Sequence, residues 1–202
     1  NHNHNDIGSY AVALGKCTMV GDQGGPFSYP GDYFSAEAPE KYKIKGSFGH
    51  PVPVVDGKTQ SSGAKASAIV LKKEFTDVKD LLCIDYTSAY STPSLDKLVR
   101  TFVYDRQGKG SFTVGDEFTA NAPIRFETAI TTQANWKIID DTHLLLTTGT
   151  EQMTVTIEAS GKVAFTSETI EVNSPAYTRI GISLKEQSKD GYIRLTMRTK
   201  QL

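Results

Sequence analysis

Leu98-Val99-Arg100-Thr101-Phe102-Val103-Tyr104-Asp105-Arg106, then Gln107-Gly108-Lys109-Gly110, then Ser111-Phe112-Thr113-Val114-Gly115-Asp116-Glu117-Phe118 is the stretch that decides the fold. Two runs rich in β-branched and aromatic residues flank a short glycine-containing connection, which is the sequence form of a β-hairpin. The same texture recurs on both sides. Downstream, Ile124, Phe126 and Ile130 alternate with Arg125 and Glu127; Met153, Val155 and Ile157 alternate with Thr154, Thr156 and Glu158; Ile193, Leu195 and Met197 alternate with Arg194, Thr196 and Arg198. A two-residue period puts one face of each segment in a core and the other in water. Upstream, Ala66 to Phe75 and Leu81 to Tyr90 form a second strand pair, and Ser9 to Leu14 with Cys17 to Gly21 form a hairpin turning at Gly15-Lys16. Gly24 to Glu40 reads as a long loop, a feature often functional in compact domains.

One short helix is expected, around Ser94 to Val99 with Ser94 as its cap. With so many period-two segments and no crossover helices, the chain is predicted to be all-β: an antiparallel two-sheet β-sandwich with long N-terminal loops, one domain over 1–202. The charged pairs Asp105-Arg106, Asp116-Glu117 and Asp140-Asp141 read as solvated hairpin ends, His143 as a turn residue and Trp136 as core.

Composition narrows the function. The 202 residues carry 22 Lys and Arg against 23 Asp and Glu, a formal charge of −1. That balance gives no global field for nucleic acid or an acidic membrane surface, so a polyanionic ligand needs a local cluster of cations. No run approaches the ~20 apolar residues of a membrane span. Cys17 and Cys83 sit in apolar contexts and are expected to be buried free thiols. No basic n-region followed by an apolar h-region is present; the sequence starts inside a motif, so an export signal is expected upstream. Phosphate loops, Cys-x-x-Cys pairs and Gly-x-Ser-x-Gly elbows are missing from the sequence.

The residues with chemistry gather in the first fifty positions. Three of the four histidines are His2, His4 and His50, and Asp22 precedes Gln23-Gly24-Gly25. An extended Asn1 to Asp6 would put His2, His4 and Asp6 on one face. Two ligand sets are open. His4, Asp22 and His50 offer two imidazoles and a carboxylate, which suits zinc with a fourth position for water; His2, His4 and Asp6 offer the same chemistry locally. Separate surface residues and a frayed terminus explain the same positions without a metal.

Asn1-His2-Asn3-His4-Asn5-Asp6-Ile7-Gly8, Asp22-Gln23-Gly24-Gly25 and Phe48-Gly49-His50-Pro51-Val52-Pro53-Val54-Val55-Asp56-Gly57 resemble the C-terminal β domain of the heparinase II/III-like polysaccharide lyases, a group that includes related alginate lyases. The resemblance is densest over 1–63. It implies that His4, Asp22 and His50 hold a structural zinc ion and that His2 lines an active site. It further implies that Tyr42, after Lys41, transfers protons; the segment Ala36 to Glu40 is longer than the family pattern.

Such lyases cleave uronic-acid-containing polysaccharide by β-elimination: a base takes the C5 proton, charge develops on the uronate carboxylate, and an acid protonates the departing C4 oxygen. Tyr29 and Tyr33 are the candidate substrate-binding residues. The implied partners are an acidic polysaccharide and an N-terminal α/α toroid that nothing in this chain resembles, and the implied location is periplasmic or secreted. The rival reading is a non-catalytic carbohydrate-binding or structural β-sandwich module, whose tyrosines would form a flat platform.

Overall fold

The computed structural model describes residues 4–22, 25, 28–171 and 175–200. Three antiparallel sheets account for the strands. β1 (Val12–Leu14) and β2 (Cys17–Val20) are the expected small hairpin, with Gly15 supplying the positive φ of its turn. The large sheet runs in the order β4 (Ile69–Phe75), β5 (Lys79–Asp85), β6 (Leu95–Asp105), β7 (Ser111–Ile124), β14 (Ser188–Thr199), β11 (Glu151–Ala159), β10 (His143–Thr148), β9 (Asn135–Asp140). The small sheet, β12 (Val163–Ile170), β13 (Tyr177–Leu184), β8 (Phe126–Thr132) and β3 (Val54–Val55), packs against it. The two-sheet sandwich read from the sequence is what the chain forms.

The period-two residues supply the core. Val114, Phe118, Leu144, Leu146, Val155, Ile193, Leu195 and Met197 from the large sheet meet Phe126, Ile130, Ile180 and Ile182 from the small one, all buried. Phe118 stacks on Phe126 across the sandwich at 4.7 Å between ring centroids. Trp136 packs at the edge of this core, as expected. No helix among the described residues is long and apolar enough to cross a membrane.

Several expectations fail, among them His143, which opens β10 and is not a turn residue. The helix expected over Ser94 to Val99 is the start of β6. Its three-residue spacing of buried Leu95 and Leu98 comes from a β-bulge between Leu95 and Lys97, which turns two positions of unlike parity to the same side. The segment from Ile124 to Ile130 is two strands, because β7 ends at Ile124 and β8 starts at Phe126. Both cysteines are free but only partly buried.

Another concerns Asp116, which is not at a solvated hairpin end. It lies 1% exposed inside the sandwich, opposite Arg100 on the neighbouring strand. Arg100 Nε donates to Asp116 Oδ1 and Nη2 to Oδ2, both at 2.8 Å. The remaining lone pairs of the carboxylate accept from Tyr86 Oη at 2.7 Å and Thr128 Oγ1 at 2.8 Å. Since Thr128 belongs to β8, this knot joins the two sheets.

Removing one member of such a pair strands its buried partner. Asp116→Ala is expected to cost about 3–5 kcal/mol in urea unfolding followed by circular dichroism. Glu158→Gln, which breaks the exposed pair with Arg194, should leave the midpoint within error.

Candidate metal centre and cleft

The N-terminal motif is not a strand over its described residues. Residues 4–8 run as an irregular segment ending in a turn at Ile7-Gly8, where Gly8 has φ +83°. Its course is fixed by hydrogen bonds to residues distant in sequence. Asn5 N donates to Lys45 O (3.0 Å), and Asn5 Nδ2 to Gln60 O (3.2 Å) and Ser62 Oγ (3.0 Å). The buried Gln60 amide pairs with the Ile7 backbone in both directions, at 2.9 and 2.8 Å. His2 lies outside the described residues, so the expected alignment of His2, His4 and Asp6 is not seen.

His50 is 1% exposed and caps a single 3₁₀ turn, Ser47–Gly49. That turn is clamped onto the outer face of the small sheet, because Tyr177 Oη donates to Gly49 O at 2.9 Å and the Arg179 guanidinium stacks 4.3 Å from the Phe48 ring. The Nε2–H of His50 donates to Ile44 O at 3.0 Å, which orients the ring so that Nδ1 faces Asp22. Asp22 Oδ1 lies 2.5 Å from that nitrogen. The His4 ring stands 5.1 Å from the His50 ring, centroid to centroid.

His4, Asp22 and His50 are thus brought together from three separate segments. Their chemistry fits a divalent cation. Burial and the neighbouring His50 hold His4 below the ordinary histidine range, so it stays a neutral ligand. Burial is the strongest single influence on Asp22 and raises it, but the bond and charge of His50, with smaller contributions from Ser9 and His4, together outweigh it and hold the carboxyl below its ordinary range. Asp6 is close as well: one ligand atom from each of His4, Asp6 and His50 lies within 4.8 Å of the others.

The network that holds these segments was not found by reading motifs. Arg100 spends its two Nη1 hydrogens on Gly8 O (2.6 Å) and Pro51 O (2.8 Å), so one buried guanidinium grips both the His4 segment and the His50 segment. A signal existed. The hairpin register, in which Asp105 faces Ser111 and Phe102 faces Val114, puts Arg100 opposite Asp116. An opposite-charge pair flanked by core residues on both strands is a buried ion pair in waiting.

Beside this cluster opens a cleft of about 1090 Å³ whose lining includes His4, Asp6, Phe34, Lys45, Gln60 and Ser62. Lys45, only 3% exposed, donates to Tyr33 O at 2.5 Å and lies over the Tyr33 and Phe34 rings. Tyr33, expected to meet substrate, is 2% exposed. It packs with Ile44, Ile170 and Tyr177 in a second small core, so its ring cannot present a stacking face. Tyr29 and Phe34 are exposed beside it.

Tyr42 follows the short helix α1 (Ala38–Lys41) and does not line the cleft. Its hydroxyl donates to Asp32, which also pairs with Lys41. The Asp32 bond, and then burial, push the Tyr42 phenol above its ordinary value, while Lys41 pulls the other way.

Gly49 has no room for a side chain, since a Cβ would sit 2.2 Å from Lys43 O. Gly49→Ala should therefore displace the turn that carries His50, at a cost of about 1–3 kcal/mol. Weakened metal binding alongside a cooperative but lowered unfolding transition is the expected pair of readouts.

No protein-family model matches the sequence, and no curated protein does. Solved structures do match. Heparinase III superimposes with a TM-score of 0.76 at 16% identity, over 100% of this chain and 31% of its own. Heparan sulfate lyase HepC from Pedobacter heparinus gives 0.77 at 15% identity, over 98% of this chain and 31% of its own. The chain therefore spans about a third of the structures it resembles, and over that span it carries the heparinase III β-sandwich fold.

Proposed function

We propose that this chain is the zinc-holding β domain of an exported polysaccharide lyase that cleaves uronate-containing polysaccharide by β-elimination, and that it forms one wall of the active site. The observation that carries the reading is the meeting of His4, Asp22 and His50 at the edge of a polar cleft, in a fold shared with heparinase III. Bound zinc would supply a structural tie between the N-terminal segment, the loop after β2 and the His50 turn, contributing folding free energy.

The chain's own residues account for recognition. The cleft mixes hydroxyl and amide groups from Ser61, Ser62, Gln60 and Asn5 with the buried cation of Lys45, a lining suited to a hydroxyl-rich anion. Phe34 in the lining and Tyr29 beside it, their ring centroids 5.0 Å apart, offer exposed apolar faces to a pyranose. Tyr42 adjoins this aromatic group, its ring 5.3 Å from that of Tyr33. Because its pKa is raised, Tyr42 keeps its proton at neutral pH and suits the acid that protonates the departing C4 oxygen better than the base that takes the C5 proton. His2, outside the described residues, keeps only the active-site role that the resemblance implies. The other wall, with the base and the groups that neutralise the uronate carboxylate, is assigned to an α/α toroid.

The rival, a binding module with a flat aromatic platform, is disfavoured by ring geometry. Tyr29 and Tyr33 are inclined at 48°, Tyr33 and Phe34 at 85°, and Tyr33 and Tyr42 at 44°.

Elemental analysis of the purified chain tests the proposal, with one zinc per chain expected. Free zinc at about a hundredfold over Kd adds about 2.7 kcal/mol. At about 2–4 °C per kcal/mol, chelation should then lower the unfolding midpoint by roughly 5–10 °C. Metal-free protein indifferent to chelator would sink the reading. The isolated chain is also expected to give no unsaturated-uronate absorbance on polyuronates.

A further inference from the structure

We infer that Asp6 is a fourth protein ligand of the ion assigned to His4, Asp22 and His50, closing the site against water; this rests on the function proposed above. Asp6 lies outside the three ligands that the family resemblance implies. Yet it is Asp6, with His4 and His50, whose ligand atoms already converge within 4.8 Å of one another. Asp22 approaches the same imidazole from its Nδ1 side at 2.5 Å. One carboxylate, Asp6, thus converges with the two imidazoles, and a second, Asp22, stands against one of them.

Charge balance argues for both carboxylates. Two imidazoles, which coordinate a metal in their neutral form, and one carboxylate would leave a divalent ion with a net charge of about +1 in a site where His50 is 1% exposed and the Lys45 ammonium is buried nearby. A second carboxylate brings the site to neutrality. Coordination number points the same way, because structural zinc sites are closed by four protein ligands whereas catalytic sites keep a position for water. A cation that ties loops together needs the closed form.

The backbone holds Asp6 where a ligand must be. Asn5 is pinned to Lys45, Gln60 and Ser62, and Ile7 is paired with Gln60. Gly8 is held by Arg100, and Asp6 O accepts from Ser9 N at 2.8 Å. With both neighbours and the turn fixed, the carboxylate has only its own two torsions to set.

The test compares wild type, Asp6→Ala, Asp6→Asn and Asp22→Ala as full chains, stripped of metal and titrated with zinc against a chromogenic chelator, then with cobalt(II) as a visible probe. Asp6→Ala is expected to raise the zinc Kd by more than about 100-fold, beyond the 10–100-fold typical of an outer-shell partner. It should also shift the cobalt absorption band and make that band respond to added azide, to which wild type is indifferent. Asp6→Asn preserves size and should fold as wild type by circular dichroism while losing affinity, so a folding failure of the alanine variant does not hide the result. A loss below about 100-fold with an unchanged, azide-insensitive cobalt band in the Asp6 variants would overturn the inference and leave the three-ligand zinc domain standing. A wild-type chain that binds neither metal would instead remove the proposed function itself.

Discussion

The Arg100–Asp116 pair is the constraint on which the rest of the molecule depends. A guanidinium with no exposed surface is costly to bury, and an apolar replacement of the same volume is often as stable. What the pair does that leucine cannot is direct hydrogen bonds. Asp116 takes both Nε and Nη2 of Arg100, so the guanidinium is oriented rigidly and its Nη1 hydrogens point at Gly8 O and Pro51 O. Every N–H of the group is used and every lone-pair direction of the carboxylate is filled, so the low dielectric strengthens the network instead of penalising it. Two loops without a sheet of their own are thereby referred to one point in the sandwich.

The sandwich was legible because each of its cues is local. Period-two alternation and glycines at turns need only a few neighbouring residues, and Gly15, Gly108 and Gly110 all have the positive φ that the hairpin readings require. The errors arose where one observation had two local explanations. A bulge and a helical turn both put Leu95 and Leu98 on one side, and adjacent acids suit a hairpin end and a buried cross-strand pair alike. Only the register, which follows from the neighbouring turn, separates the two explanations for Asp116.

The site was legible as a set of residue types but not as an arrangement. His4, Asp22 and His50 carry recognisable chemistry, yet their approach depends on the Tyr177 and Arg179 clamp on the 3₁₀ turn and on Gln60 bridging to Ile7. None of those residues has a motif signature. The tyrosines show the limit from the other side: Tyr29, Tyr33 and Tyr42 look alike in the sequence. Burial separates them, since Tyr33 anchors a second core, Tyr29 stays exposed and Tyr42 bonds to Asp32. Amphipathic rings serve either purpose, and only the finished packing assigns it.

These facts divide the molecule into two tiers of different stability. The sheets bury a continuous apolar core and hold themselves together. The segments 4–9 and 42–53 have no sheet of their own; they bury Ile44 and Val52, pack Ile7 and Phe48 at the core edges, and add directed polar contacts: Arg100 below, Gln60 and Tyr177 at the sides, and the His and Asp cluster above. Polar contacts of this kind contribute only about 1 kcal/mol each once exchange with water is counted, so a collar built from them alone would open readily. The divalent ion proposed at the cluster would change that, because it would couple the separate segments so that none could leave without breaking a ligand bond. A rigid cleft wall on loops needs such a coupling. On that ground the proposed cation would belong to the architecture of the cleft, and the reactive groups are to be sought along its rim.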